Sequence, residues 1–135
     1  MDTILVPLSR PDQAAILATF ILPVARGEHA RVILLHIRSP RFLPLNGEEA
    51  EEVKELADWL EEAAAPFQEA DVQVQIVQRV AQSVAGGIRD AVAEFKPDLL
   101  ALSWRRAGPG EEDEDITLRD LLLDVPCDLV VWRGG

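Results

Sequence analysis

Cysteine occurs once, at Cys127, so no intrachain disulfide can form, and a reducing compartment suits the chain. Bases are scarce: 13 lysines and arginines stand against 24 acids, a formal charge of -11. Such a surplus repels nucleic acid and anionic membrane unless a local patch reverses the sign, so neither is an expected partner. Long apolar runs are missing too. The opening Met1-Asp2-Thr3 carries no basic segment, and the run 4–8 is too short for a signal peptide or a membrane span. What is present is 135 residues, 48% of them apolar, enough for one folded domain over 1–135 and too many for disorder. The expected location is the cytoplasm.

Five short aliphatic runs alternate with helical patterns: 3–8, 31–37, 72–80, 98–103 and 128–132. Four are nearly continuous in apolar residues, as in strands buried on both faces of a parallel sheet. The run at 72–80 alternates apolar residues with glutamines, which suits an edge strand with one face in water. Between the runs, Val53, Leu56, Leu60 and Phe67 form one helical stripe, and Val84, Ile88, Ala91, Val92 and Phe95 another, stopped by Lys96-Pro97. Gly86 and Gly87 inside the second helix imply close approach to a strand. A first helix over about 11–25 is apolar nearly all round, with Pro23 expected to kink it, and a short fourth is expected near 116–123. The order βαβαβαβαβ predicts an α/β fold, an open parallel sheet with helices on both faces. Ligands of such sheets sit outside the carboxyl ends of the strands, the side to which the two longest irregular segments, 38–47 and 105–115, belong.

Ile4-Leu5-Val6-Pro7-Leu8, Val32-Ile33-Leu34-Leu35-His36-Ile37, Pro97-Asp98-Leu99-Leu100-Ala101-Leu102-Ser103 and Val125-Pro126-Cys127-Asp128-Leu129-Val130-Val131 together resemble, in order and spacing, the universal stress protein family. The resemblance covers essentially the whole chain. It implies a Rossmann-like sheet of strand order 3-2-1-4-5 and, commonly, a homodimer joined through the last strand, here Leu129, Val130, Val131 and Trp132. Family members that bind ATP carry an acid at the end of strand one and a Gly-x2-Gly-x9-Gly-Ser/Thr loop after strand four. The acid's place is Ser9 here, and the two early glycines map onto Ser103 and Arg106. The last pair maps onto Ile116 and Thr117, or onto Asp115 and Ile116 when counted back from Cys127.

Glycines let backbone N–H groups close on a phosphate, and side chains at those positions block the approach. Glu111, Glu112, Asp113, Glu114 and Asp115 in the same loop would repel a triphosphate. ATP binding in the family's usual mode is therefore not expected. Any ligand is expected beside Pro7, Ser9, Ile37, Ser103, Arg105, Arg106 and Thr117.

Six arginines, Arg10, Arg38, Arg41, Arg79, Arg105 and Arg106, follow the first four strands, so the fold should gather them at one rim. They read either as an anion site built from guanidinium groups or, preferably, as partners of the acids at 111–115 closing an empty crevice. His36 lies among aliphatic residues and reads as a core histidine with a backbone partner. His29 has no partner at metal-ligand spacing, so no metal is expected. Cys127 reads as a small buried side chain. Ser9 lacks the surroundings of a nucleophile, and the acids of a receiver domain are replaced by Ser9-Arg10 and Arg79. The expectation is a non-catalytic, homodimeric stress-response domain with a degenerate nucleotide site and no cofactor. It would act through binding, with room for an unidentified protein partner. Two rivals remain: a nucleotide switch for ATP or AMP, and an accessory domain docked on a membrane transporter.

Overall fold

The computed structural model describes residues 2–38, 47–104, 119–121 and 124–133. Its elements run β1 (Thr3–Pro7), α1 (Pro11–Glu28), β2 (Arg31–Arg38), α2 (Gly47–Glu69), β3 (Val74–Val80), α3 (Val84–Phe95), β4 (Leu99–Trp104) and β5 (Asp128–Arg133). A further helical turn covers 119–121, the described part of the expected fourth helix. The five strands form one sheet in the order β3-β2-β1-β4-β5, and every pairing is parallel. This is the α/β architecture read from the sequence. β3 holds an edge, and its Gln75, Gln78 and Arg79 are exposed.

Alternation along the strands divides the core in two. Ile4, Val6, Val32, Leu34 and Ala101 pack with Ile21 and Ala25 of α1 and Ala63 and Phe67 of α2. On the opposite face Leu5, Ile33, Leu35, Leu100 and Leu102 pack with Ile88, Ala91 and Val92 of α3 and with Leu121. Strands buried on both sides explain the unbroken aliphatic runs.

Local chemistry sets the helix ends. Pro11 opens α1, where its fixed φ and missing N–H cost nothing. The helix runs through Pro23 to Glu28, beyond the boundary expected at 25, and is capped by left-handed His29. α2 likewise continues through Pro66. Ser83 caps α3 by accepting from the Gly86 N–H, and Lys96 in the left-handed region ends it. A Cβ on Gly87 would lie 2.8 Å from Ile37 Cδ1 and Cγ2, so α3 sits on β2 only because residue 87 has no side chain. Among the described residues, no helix is long and apolar enough to cross a membrane.

Candidate functional site

The switch point lies where β1 sits between β2 and β4, since the chain leaves β1 toward one neighbour and later returns on its other side. Pro7, Ser9 and Arg10 close this end of β1, with Ile37 and Arg38 ending β2 and Ser103 near the end of β4. Pro7 and Ser103 are half-buried and Ser9 is exposed, while Ile37 is buried against α3. Arg41, Arg105, Arg106 and Thr117 lie outside the described residues, as do the acids at 111–115.

One residue overlooked in the sequence organises the turn between β1 and α1. Gln13 is buried, and its Oε1 accepts from the Ser9 N–H at 2.7 Å, the Arg10 N–H at 3.1 Å and the Ser9 hydroxyl at 3.1 Å. Those two backbone N–H groups stand at the start of a helix, where the dipole favours a negatively charged ligand. Here a side-chain carbonyl of the same helix takes them instead. The sequence signal was faint. Proline at the first helical position with glutamine two residues later marks a helix start, but Arg10 stands where a serine, threonine or aspartate would complete the capping signature.

Among the described residues, Arg10, Arg38 and Arg79 belong to the same end of the sheet. Arg79 is in register with Ile37, whose side chain belongs to the α3 face. Its guanidinium follows, reaching Glu94 Oε2 at 2.9 Å and standing 6.0 Å from the Phe95 ring centroid. Arg38, the next residue after Ile37 on β2, is on the opposite face by the alternation of the strand. Arg10 Nε lies 3.6 Å from Asp12 Oδ1, within its own helix start. Arg10 and Arg79 thus meet acids of the adjoining helices, and among the described arginines Arg38 and Arg79 stand on opposite faces of the sheet.

His36 Nδ1 lies 2.8 Å from the Leu8 carbonyl oxygen, and the ring meets Trp59 edge-on at 5.8 Å. It has the backbone partner expected of it, in a half-buried setting that ties β2, β1 and α2 together. Cys127 is half-buried rather than buried, because it lies in the turn entering β5 and not in the strand. Partial burial and the nearby carboxylates of Asp128 and Asp98 push its thiol pKa up, which disfavours the reactive thiolate. Among the described residues, no group of three histidine, cysteine or acidic side chains could hold a metal ion.

A family model described as "Universal stress protein family" matches residues 1–133. The chain belongs to the universal stress protein family. Solved structures of universal stress proteins share its fold at low identity. One from Archaeoglobus fulgidus in complex with dAMP is 19% identical, with a TM-score of 0.71 and 97% of each chain covered. The Lactobacillus plantarum UspA structure is 18% identical, with a TM-score of 0.68, covering 98% of this chain and 97% of that one. A family protein from Arabidopsis thaliana with AMP bound is 11% identical, with a TM-score of 0.66, covering 100% of this chain and 93% of that one. A search of curated proteins finds no match by sequence.

Proposed function

We propose that this universal stress protein is a non-catalytic domain acting through binding, whose switch-point crevice does not take ATP in the family's usual mode. The observation that carries this reading is the internal use of the β1–α1 amides by Gln13. A ligand phosphate would have to displace that oxygen, and the glycine positions Ser103 and Arg106 offer side chains in place of open backbone. Calorimetry with magnesium ATP should show no saturable binding tighter than about 100 μM, equivalent to roughly -5.5 kcal/mol. A low-micromolar dissociation constant overturns it.

A second reading is a nucleotide-responsive switch, favoured by the relatives solved with dAMP and AMP. It predicts co-purifying nucleotide, seen as a raised 260-to-280 nm absorbance ratio in the supernatant after denaturation.

Assembly as a homodimer through β5 belongs to the same proposal. β5 is an edge strand with Val131 exposed, and beside it Phe20 of α1 is exposed while stacking on Trp132, ring centroids 4.6 Å apart. The expected site is the cytoplasm, where the single cysteine would stay reduced.

A further inference from the structure

At the amino ends of β2 and β3, opposite the switch point, α1 and α2 end beside one another around an open cleft of about 420 Å³. Both helices stop in the same way. The Ala30 N–H bonds the Ala25 carbonyl and the His29 N–H the Arg26 carbonyl, while the Val72 N–H bonds the Phe67 carbonyl and the Asp71 N–H the Gln68 carbonyl. Each motif needs a left-handed residue, the usual place of glycine. Here those residues are His29 (φ 53°) and Asp71 (φ 58°), and both line the cleft. The glycine available to α1 sits two residues earlier at Gly27, inside the helix with open space around it. Both positions thus carry side chains where glycine is usual, as Lys96 does at the end of α3.

The cleft has a polarity. Its floor is Ala25, Ala30 and Val72, all buried. The end of α1 contributes Arg26 and the imidazole of His29. The turn after α2 contributes Asp71; the last turn of α2 holds no basic residue, and its Pro66, Phe67 and Gln68 carbonyls accept from the N–H groups of residues 70–72. Arg26 and Asp71 line the same cleft without forming an ion pair with each other. Opposite charges that line one cleft without pairing with each other match a ligand that carries both charges.

We infer that this cleft binds a small aliphatic zwitterion, an α-amino acid, with its carboxylate at Arg26 and His29 and its ammonium at Asp71. The volume is in the range of small-molecule sites. Neither charged group of such a ligand has to enter the floor, so neither loses much hydration. The site is separate from the switch-point crevice and stands whether or not that crevice binds nucleotide.

The test is a titration of the ¹⁵N-labelled full chain with L-valine, followed by amide resonances, beside isobutylamine (no carboxylate) and 3-methylbutanoate (no amine). Valine should saturate shifts confined to 25–30 and 70–73 with a dissociation constant of about 1 mM. Each single-charge analogue should bind at least about tenfold more weakly, a difference of about 1.4 kcal/mol. Arg26→Gln and Asp71→Asn, both on the exposed rim, should each weaken valine by a similar factor. Absence of saturable shifts, or an equal response to all three compounds, overturns the assignment. The analogue comparison uses the unaltered protein, so its outcome does not depend on how the variants fold.

Discussion

Replacing Gln13 by alanine removes the acceptor shared by the Ser9 and Arg10 N–H groups and the Ser9 hydroxyl. Because Ser9 is exposed, water can take over part of that role. The expected loss is about 1 kcal/mol, a lower urea midpoint at unchanged slope. The freed amides should also bind sulfate more tightly than in the unaltered protein, and unchanged sulfate affinity would contradict the crevice reading. A second single-residue device fastens the amino terminus: the Asp98 carboxylate accepts from the Asp2 N–H at 2.7 Å and the Thr3 N–H at 3.0 Å. These two donors hold its carboxyl below the ordinary aspartate value. A depressed folded pKa stabilises above the unfolded value of about 3.9 and loses that contribution as pH falls through the folded value. The melting-temperature gap between the unaltered protein and Asp98→Ala should therefore be full at neutral pH and close in acid. A constant gap down to about pH 2 would refute the linkage. Neither device was legible beforehand. Asp98 reads as the entry to a strand, and its partners lie 96 and 95 residues away. Gln13 follows Arg10, a residue that gives no capping signal.

At the level of elements, strand positions were readable because burial on both faces leaves a simple aliphatic signature. The edge position of β3 was readable because water on one side leaves alternation. Helix ends were harder. The limit of α1 was expected near Ala25, yet the helix runs through Pro23, with Ile21 and Ala25 packed on the sheet, as far as Glu28. Of the paired glycines of α3, Gly87 makes the close approach to a strand that was expected, while a Cβ on Gly86 would meet only the capping Ser83 hydroxyl. Gly87→Ala should gain helix propensity of about 1 kcal/mol but force Ile37 aside at 2.8 Å. Overpacking typically costs about 1–3 kcal/mol, so net destabilisation is expected. Ile37→Ala in the same chain removes the Cγ1, Cγ2 and Cδ1 atoms that a Cβ at 87 would meet. The double variant should then be less destabilised than the sum of the two single ones. Strict additivity in a denaturation cycle would show that the contact is not the limiting one. The arginine rim illustrates the opposite difficulty. Chain order places these residues at one end of the sheet, but strand parity decides the face, and it sends Arg38 and Arg79 apart.

For the whole molecule, the two borders of the sheet are unequal. β3 presents Gln75, Gln78 and Arg79 before its exposed last residue Val80, whereas β5 presents Val131, beside which exposed Phe20 stacks on Trp132. An apolar edge seeks a partner strand and a polar one discourages it. Sedimentation should therefore show a dimer at micromolar concentration, and Val130→Pro a monomer or an aggregate, because proline removes an N–H and disturbs the strand. A 14.9 kDa monomer for the unaltered chain at about 100 μM would rule the dimer out. The strand order has one more consequence, for the chain as it is being made. β1 leaves the ribosome before the other four strands but belongs in the middle of the sheet, and the aspartate that fastens Thr3 lies 95 residues downstream. At about 5–20 residues per second, this aliphatic strand waits on the order of 5–20 s before its β4 side can close. During that interval β2 can shelter one side only, so the nascent chain should be a client of co-translational chaperones until β4 emerges.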